Sequence, residues 1–245
     1  MASKCPVQTV LSTDGTAVSL RCGLWSCQYC QIINARIWAS RTKLQFADGG
    51  HFITLTQPGT VKSVKRAYQL LPKQWDTFRK TIQRECPDRW IYIAFVEGQP
   101  KRMYMPHFHI ICNRPPMDRT GRQSLNTALV NMAVRSGFGY QAKYKAVVSG
   151  EAAAYVSKYA SKDAPNMPKG FRRVRTSQGF PDLPLLPNAG LIFPKPSEKL
   201  TEYIMRVSDL SGIVADDLLD AYDRAKIEFN QQATKVLERA GRMSD

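Results

Sequence analysis

Two histidines that lie two positions apart are the first candidates for chemistry in this chain. In His107-Phe108-His109, an extended backbone would point both imidazoles to one face of a sheet and Phe108 to the other. Glu97 is the nearest acidic residue upstream, and a hairpin between Glu97 and His107 would bring its carboxylate to the imidazoles. Two nitrogens and one oxygen form a site for Mg²⁺, Mn²⁺ or another divalent ion, with positions left open for substrate oxygens.

Tyrosine and lysine alternate regularly in EAAAYVSKYASK, residues 151–162. At about 100° per residue, one helix face would carry all four of Tyr155, Lys158, Tyr159 and Lys162. A phenol with a pKa of about 10 is a poor nucleophile at pH 7. A metal that polarises a phosphate, with a lysine beside the phenolate, would supply the missing electrostatic assistance. The two segments together predict attack of tyrosine on a phosphodiester.

Each of these patterns also has a purely structural explanation. Two histidines can meet on a solvent-exposed strand by chance, and tyrosine and lysine at helical spacing are typical of a half-buried, solvated helix face. The combination of the two patterns therefore favours chemistry more strongly than either alone.

Four of the six cysteines are close to the N-terminus, and two of them have the Cys-x-x-Cys spacing of a metal-binding turn. In a basic cytoplasmic protein such a cluster favours structural Zn²⁺ over disulfides. The alternative is a set of reduced, partly buried thiols. The candidate zinc ligands are Cys5, Cys22, Cys27 and Cys30.

The net charge of +15 is unevenly distributed along the chain. Residues 1–196 carry 28 Lys and Arg against 10 Asp and Glu, whereas residues 197–245 carry 7 against 10. The basic part predicts a polyanionic partner such as nucleic acid. A basic cluster in the proline-rich connection is the candidate DNA contact, and it contains Lys169, Arg172, Arg173 and Arg175. The N-terminus lacks the apolar core of a signal peptide, so we expect a soluble cytoplasmic protein with no membrane partner.

These residues require a sheet and helices to position them. Alternating or β-branched segments predict strands at 51–57, 89–98, 107–112 and 141–148, with a fifth strand at 16–22. Apolar spacings of three and four predict helices over 72–86 and 118–139, and the tyrosine helix follows residue 149. This βαββαβ order predicts an α+β fold with an antiparallel four- to five-stranded sheet and both helices on one face. One long helix is expected over 207–241.

Four segments are predicted on this basis. They are a cysteine-rich segment at 1–45, a catalytic domain at 46–165, a proline-rich basic connection at 166–196 and a helical tail at 197–245.

The three motifs resemble those of the HUH endonucleases, and within them the rolling-circle replication initiators of bacterial plasmids and single-stranded DNA phages. HFITLTQP is similar to the first motif of the family, MPHFHII to its metal motif, and AYVSKYASK to its tyrosine motif in the two-tyrosine form of phage gene A proteins. CGLWSCQYCQIINARIWASR is similar to the cysteine-rich lead-in of many plasmid initiators. The resemblance covers roughly residues 20–180.

The resemblance implies a mechanism and partners. His107, His109 and Glu97 would bind Mg²⁺ or Mn²⁺ at the scissile phosphate of single-stranded or supercoiled origin DNA. One of the two tyrosines would form a 5′-phosphotyrosine and free a 3′-OH for host polymerase, and the other would act after one round. Lys158 and Lys162 would each assist the tyrosine three residues upstream. A host helicase would open the duplex.

Two alternatives remain open at this stage. Rolling-circle transposases share the two-tyrosine core but are usually longer, and in conjugative relaxases the tyrosine normally precedes the histidines. A non-catalytic module, with a zinc knuckle and an RRM-like sheet, would bind single-stranded nucleic acid on aromatic side chains without breaking it.

Overall fold

The fold is described from a computed structural model. The structure describes Cys5 and residues 7–85, 89–99, 104–115, 124–148, 151–160, 167–168, 170–181, 191–192 and 194–241, with the backbone alone at 153, 157–160 and 241. The strands are β1 (Gln8–Ser12), β2 (Ala17–Leu20), β3 (Gly50–Leu55), β4 (Tyr92–Gln99), β5 (Met105–Cys112), β6 (Lys143–Val147), β7 (Val174–Thr176) and β8 (Leu191–Ile192). The helices are α1 (Gln28–Gln45), α2 (Val64–Glu85), α3 (Leu125–Arg135), α4 (Glu151–Ala160), α5 (Leu200–Ser211) and α6 (Ala215–Gly241).

The chain forms two compact units, and the division falls within α1. One unit contains residues 1–34 and 184–245, and the other contains residues 35–183. The predicted division into four segments stays a prediction. No helix within the described ranges is both long and apolar enough to cross a membrane.

The unit of residues 35–183 is built on a five-stranded antiparallel sheet in the order β6-β3-β5-β4-β7. Strands β3, β4, β5 and β6 with helices α2 and α3 follow the predicted βαββαβ order, and the predicted α+β fold is confirmed. The fifth strand was predicted at 16–22, which is wrong for this sheet. The fifth strand is β7, while residues 17–20 form β2 in the sheet of the other unit.

Helices α2 and α3 pack on one face of this sheet and form its main core with the residues that β4 and β5 direct to that side. Phe108 is fully buried there, and its ring centroid lies 4.7 Å from that of Trp75 in α2. Burial of one such side chain contributes about 1.5–3 kcal/mol to folding. Because side chains alternate along a strand, this packing directs the neighbours of Phe108 to the other face of the sheet.

Helix α2 starts two turns before the predicted position. The sequence places Pro72 at the start of the helix, but the helix begins at Val64 and contains Pro72 in its interior. Ala67, Tyr68 and Leu71 continue its buried stripe upstream, so core packing offsets the hydrogen bond that proline cannot donate.

The unit of residues 1–34 and 184–245 contains the three-stranded sheet β2-β1-β8 and the helices α5 and α6. The prediction of a single helix over 207–241 is wrong. Gly212 ends α5 in a left-handed conformation with φ 71°, which glycine adopts without strain, and α6 begins at Ala215. Within α6, Leu218 and Phe229 are buried, whereas Leu219 is exposed.

Candidate functional site

The three predicted metal ligands lie on the sheet face opposite α2 and α3. In the β4–β5 hairpin, Glu97 is directly opposite His107, and Phe95 is opposite His109. The backbone N–H of Tyr104 donates to the Gln99 carbonyl at 2.9 Å and closes the hairpin. The strand alternation that buries Phe108 against α2 thus points both imidazoles toward the Glu97 carboxylate.

The ligand atoms of this triad are close enough to share one ion. The Glu97 Oε2 lies 2.8 Å from His109 Nε2 and 3.4 Å from His107 Nε2. All three residues are buried, with 5%, 8% and 6% of the surface of Glu97, His107 and His109 exposed. Thr54, paired with His109 across β3 and β5, places its hydroxyl 3.4 Å from the other ring nitrogen of His109 and so orients the imidazole.

The electrostatics of the triad suit a cation. Burial alone would raise the pKa of Glu97, but hydrogen bonds with His107 and His109 outweigh it and lower the pKa to about 2. The carboxylate is therefore ionised at neutral pH. Among the described residues, His107 Nδ1 is buried without a hydrogen-bond partner. One carboxylate and two imidazoles fit a divalent cation.

Tyr155 lies over this face of the sheet, where α4 crosses it. Its ring stacks on Phe52 of β3 with centroids 4.6 Å apart, and Phe52 stacks on His109 at 5.4 Å. A single phenylalanine ring therefore stands between the phenol ring of Tyr155 and a triad imidazole. Lys158 and Tyr159 lie in the described backbone of α4, while their side chains and the whole of Lys162 lie outside the described part of the chain.

Lys145 is a neighbour of Tyr155 that the sequence interpretation missed. It is exposed on β6 opposite Phe52, and its Nζ donates to the Tyr155 hydroxyl at 3.1 Å. This hydrogen bond, followed by the charge of Glu151, raises the pKa of Lys145. The sequence Lys143-Tyr144-Lys145 places both lysines on one face of β6. That face can be recognised as the one that carries the triad only when β6 is known to pair with β3.

The third histidine is engaged on the opposite side of the same sheet. His51 Nδ1 lies 2.7 Å from the Tyr144 hydroxyl, and the two rings stack at 5.5 Å. Burial lowers the pKa of His51. His51 is therefore separate from the triad and serves as an internal control for it.

The residues of the predicted basic cluster differ in how far they are exposed. Arg172 is exposed and Arg175 is half-buried, whereas Arg173 is 2% exposed. Lys169 lies outside the described part of the chain. Arg172 and Arg175 line a common cavity.

The four predicted zinc ligands converge in the other unit. Cys27 and Cys30 lie at the start of α1, and the Cys5 sulfur lies 3.7 Å from Cys22 and 3.4 Å from Cys30. The Cys22 and Cys30 sulfurs are 3.5 Å apart. Four sulfurs at about 2.3 Å from a tetrahedral Zn²⁺ would be about 3.8 Å apart. All four cysteines are reduced, so the cluster forms a candidate metal site without disulfides.

The thiols of this cluster differ in how readily they ionise. Burial raises the pKa of Cys5 and of Cys30. Burial alone would also raise the pKa of Cys27, but hydrogen bonds from the Cys30 backbone and the neighbouring thiols outweigh burial and lower this pKa. These hydrogen bonds favour the thiolate form of Cys27, which is the form that binds a metal.

Comparison with known proteins adds one family match. Residues 50–164 match the family described as replication-associated protein ORF2/gene 2 protein. No curated protein and no solved structure matches the chain. The matched segment contains the whole triad and Tyr155, so this part of the chain is similar to a family of replication-associated proteins.

Proposed function

We propose that this chain is a rolling-circle replication initiator that nicks and rejoins one DNA strand through tyrosine. The observation that carries the proposal is the row of rings from His109 through Phe52 to Tyr155, on the face that also presents Glu97 and His107. A buried ligand set and a tyrosine on the same face of a sheet are the groups that metal-assisted phosphodiester transesterification requires. The family match over the same residues supports it.

The reaction exchanges one ester for another. The tyrosine hydroxyl loses its proton, and its oxygen forms a bond to the scissile phosphorus. The bond from phosphorus to the 3′ oxygen breaks, and that oxygen takes up a proton, leaving a 5′-phosphotyrosine and a free 3′-OH. A divalent cation such as Mg²⁺ or Mn²⁺, when bound by Glu97, His107 and His109, would polarise the phosphate. The ester energy is retained, so no ATP is consumed.

Lys145 favours the ionised form of the attacking phenol. Its ammonium already donates to the Tyr155 oxygen, and this hydrogen bond becomes charge-assisted on both sides when the phenol ionises. Lys158 and Lys162 are assigned the same role for the tyrosines three residues upstream. Tyr159 is the second nucleophile, four residues from Tyr155 in α4.

The partners follow from this chemistry. The substrate is single-stranded or supercoiled origin DNA in a bacterial cytoplasm, with host polymerase extending the 3′-OH and a host helicase opening the duplex. The cysteine cluster binds a structural Zn²⁺. The basic residues Arg172 and Arg175 hold phosphates outside the triad.

A covalent-capture assay tests the proposal. Random single-stranded oligonucleotides are incubated with Mn²⁺ and wild type, Tyr155→Phe, Tyr159→Phe or the double variant, and adducts that resist SDS are counted. We expect an adduct with wild type and none with the double variant. Retention of DNA on a native gel with no adduct under any divalent metal would instead support a non-catalytic binding module.

Lys145 provides a finer test. We expect Lys145→Gln to slow adduct formation through Tyr155 roughly tenfold, measured in the Tyr159→Phe background, because one charge-assisted hydrogen bond is lost in an exposed setting. Lys143→Gln is the matched control, since Lys143 is also exposed and lies two residues away on the same face of β6. Equal rates for the two variants would remove Lys145 from the mechanism.

A further inference from the structure

A second candidate site lies on the other face of the sheet. A cavity of about 630 Å³ is lined by Trp75 of α2, by Trp90 and Tyr92 at the start of β4, and by residues of β7. Tyr92 belongs to the core formed with α2, whereas Glu97, an odd number of residues along β4, faces the triad. The volume is within the range of about 300–1,000 Å³ that is usual for small-molecule sites.

The charge of this cavity is one-sided. Of the described residues that line it, four are arginines and none is acidic: Arg79, Arg89, Arg172 and Arg175. Arg79 is paired with Asp76 at 2.9 Å, but the fixed contacts of the other three are with main-chain carbonyls. Three guanidiniums therefore converge here with no carboxylate among the lining residues to balance them.

Arg175 is the arginine whose charged form this cavity disfavours most clearly. Its guanidinium lies 5.4 Å from the ring centroids of both Phe108 and Phe171. Burial, together with the charge of Arg172, lowers the pKa of Arg175 to about 10. A half-buried arginine beside another arginine is unfavourable without an anion, and a bound anion would offset that repulsion.

Arg89 is held in place by the backbone of the opposite wall. Its Nη2 donates to the Gln178 carbonyl at 2.7 Å. The next residue, Gly179, has φ 75°, and a β-carbon there would collide with the Arg89 guanidinium. The turn after β7 therefore requires glycine both for its conformation and for the approach of this arginine.

The aromatic residues of the cavity wall are almost completely buried. The Trp90 side chain is 3% exposed, and within the described chain its indole N–H is buried without a hydrogen-bond partner. Buried indole N–H groups usually have an acceptor. The rings of Trp90 and Tyr92 lie 4.4 Å apart at an interplanar angle of 36°, so they pack against each other and form an apolar wall beside the arginines.

We propose that this cavity binds a nucleotide through its phosphate, with the arginines on the phosphate oxygens. Arginine forks match phosphate oxygens in pairs. The same chemistry is presented by a free nucleotide and by one residue of a DNA strand. The proposal does not rest on the tyrosine chemistry, because the triad lies on the opposite face.

The test is a set of titrations in buffer without Mg²⁺ or Mn²⁺, so that the triad has no divalent cation to hold while the zinc of the cysteine cluster stays in place. Wild type, Arg172→Gln, Arg175→Gln and Arg66→Gln are titrated with thymidine 5′-monophosphate, with thymidine and with a five-residue oligothymidylate, and binding is followed by calorimetry and tryptophan fluorescence. Arg66→Gln is the matched control, because Arg66 is exposed on α2 and does not line the cavity. Arg172 is exposed, so its variant tests the site even if loss of the packed Arg175 weakens the fold.

We expect Arg172→Gln and Arg175→Gln each to weaken binding roughly tenfold, and Arg66→Gln to leave it nearly unchanged. A one-to-one complex with the monophosphate but not with thymidine identifies a free nucleotide as sufficient. An arginine-specific loss seen with the oligonucleotide alone identifies a DNA strand. If neither the monophosphate nor the oligothymidylate binds the cavity variants more weakly than Arg66→Gln, the site is excluded. His107→Ala/His109→Ala protein should bind the probes like wild type, so a failure here and a failure of strand cleavage are separate results.

Discussion

The two candidate metal centres differ in the number of ligands that the chain supplies. The cysteine cluster offers four sulfurs, which complete a tetrahedron. The triad of Glu97, His107 and His109 offers two nitrogens and a carboxylate, which leave coordination positions for a substrate. From the ligand count we therefore expect the four-sulfur site to stabilise the fold and the three-ligand site to take part in a reaction.

The two centres also differ in how their ligands are held. The triad is built from directly paired strands, so register fixes the spacing of its ligands. The cysteines come from a helix start and from two chain segments before it, which a metal would tie together. We therefore expect the triad to survive removal of its metal and the cysteine cluster to lose order with it.

The largest expected effect comes from breaking the open site. His107→Ala/His109→Ala should lower metal-dependent nicking by about a thousandfold, because Lewis-acid assistance contributes several kcal/mol and each 1.36 kcal/mol is about tenfold in rate. DNA binding should largely remain, since it depends on charge elsewhere. His51→Ala removes the histidine on the other face and should nick normally. Undiminished nicking by the folded double variant, verified by circular dichroism, would exclude the triad as the metal site.

Breaking the closed site should instead lower stability. Cys27→Ser/Cys30→Ser should lose its zinc and unfold roughly 10 °C lower, since each kcal/mol shifts the midpoint of a 150–250-residue protein by about 2–4 °C. Below that temperature the variant should still nick.

The control for this prediction is Cys112→Ala, because Cys112 is buried in the core of the other unit and lies outside the cluster. It should retain one zinc per chain. A zinc content near zero in wild type would make the four cysteines ordinary reduced thiols.

The sequence was sufficient for four strands of the sheet and for the triad, because both depend on local alternation. His107 and His109 share a face once β5 is extended, and the short chain to Glu97 leaves a hairpin as the simplest connection. The four ordered strands with two intervening helices then specify the sheet order. The order of β6 and α4 predicts that the tyrosine helix lies near this sheet, but the stacking of Tyr155 on Phe52 is what shows which face it covers.

The errors arose where tertiary contacts decide. Pro72 normally starts a helix, and only the burial of Tyr68 and Leu71 against the sheet shows that α2 continues upstream of it. Strand β7 has three residues and is defined by its pairing with β4, some 80 positions earlier in the chain, which no local pattern records. Lys145 was missed for the same reason, because its contact with Tyr155 depends on β6 pairing with β3.

The smallest predicted effect is a pH dependence of the free energy of unfolding that comes from the Glu97 carboxylate and not from the thiols. The folded pKa of Glu97, about 2, lies below its ordinary value, so the folded protein binds this proton less readily than the unfolded chain. The stability that Glu97 contributes is therefore complete above its unfolded pKa of about 4.3 and is lost as the pH falls toward 2. In a chelator, the free energy of unfolding of wild type minus that of Glu97→Gln should shrink over this window, because carboxylates common to both proteins cancel. The thiols carry no charge there, so a difference that stays constant with pH would mean that the imidazoles do not hold the Glu97 carboxylate in its ionised form.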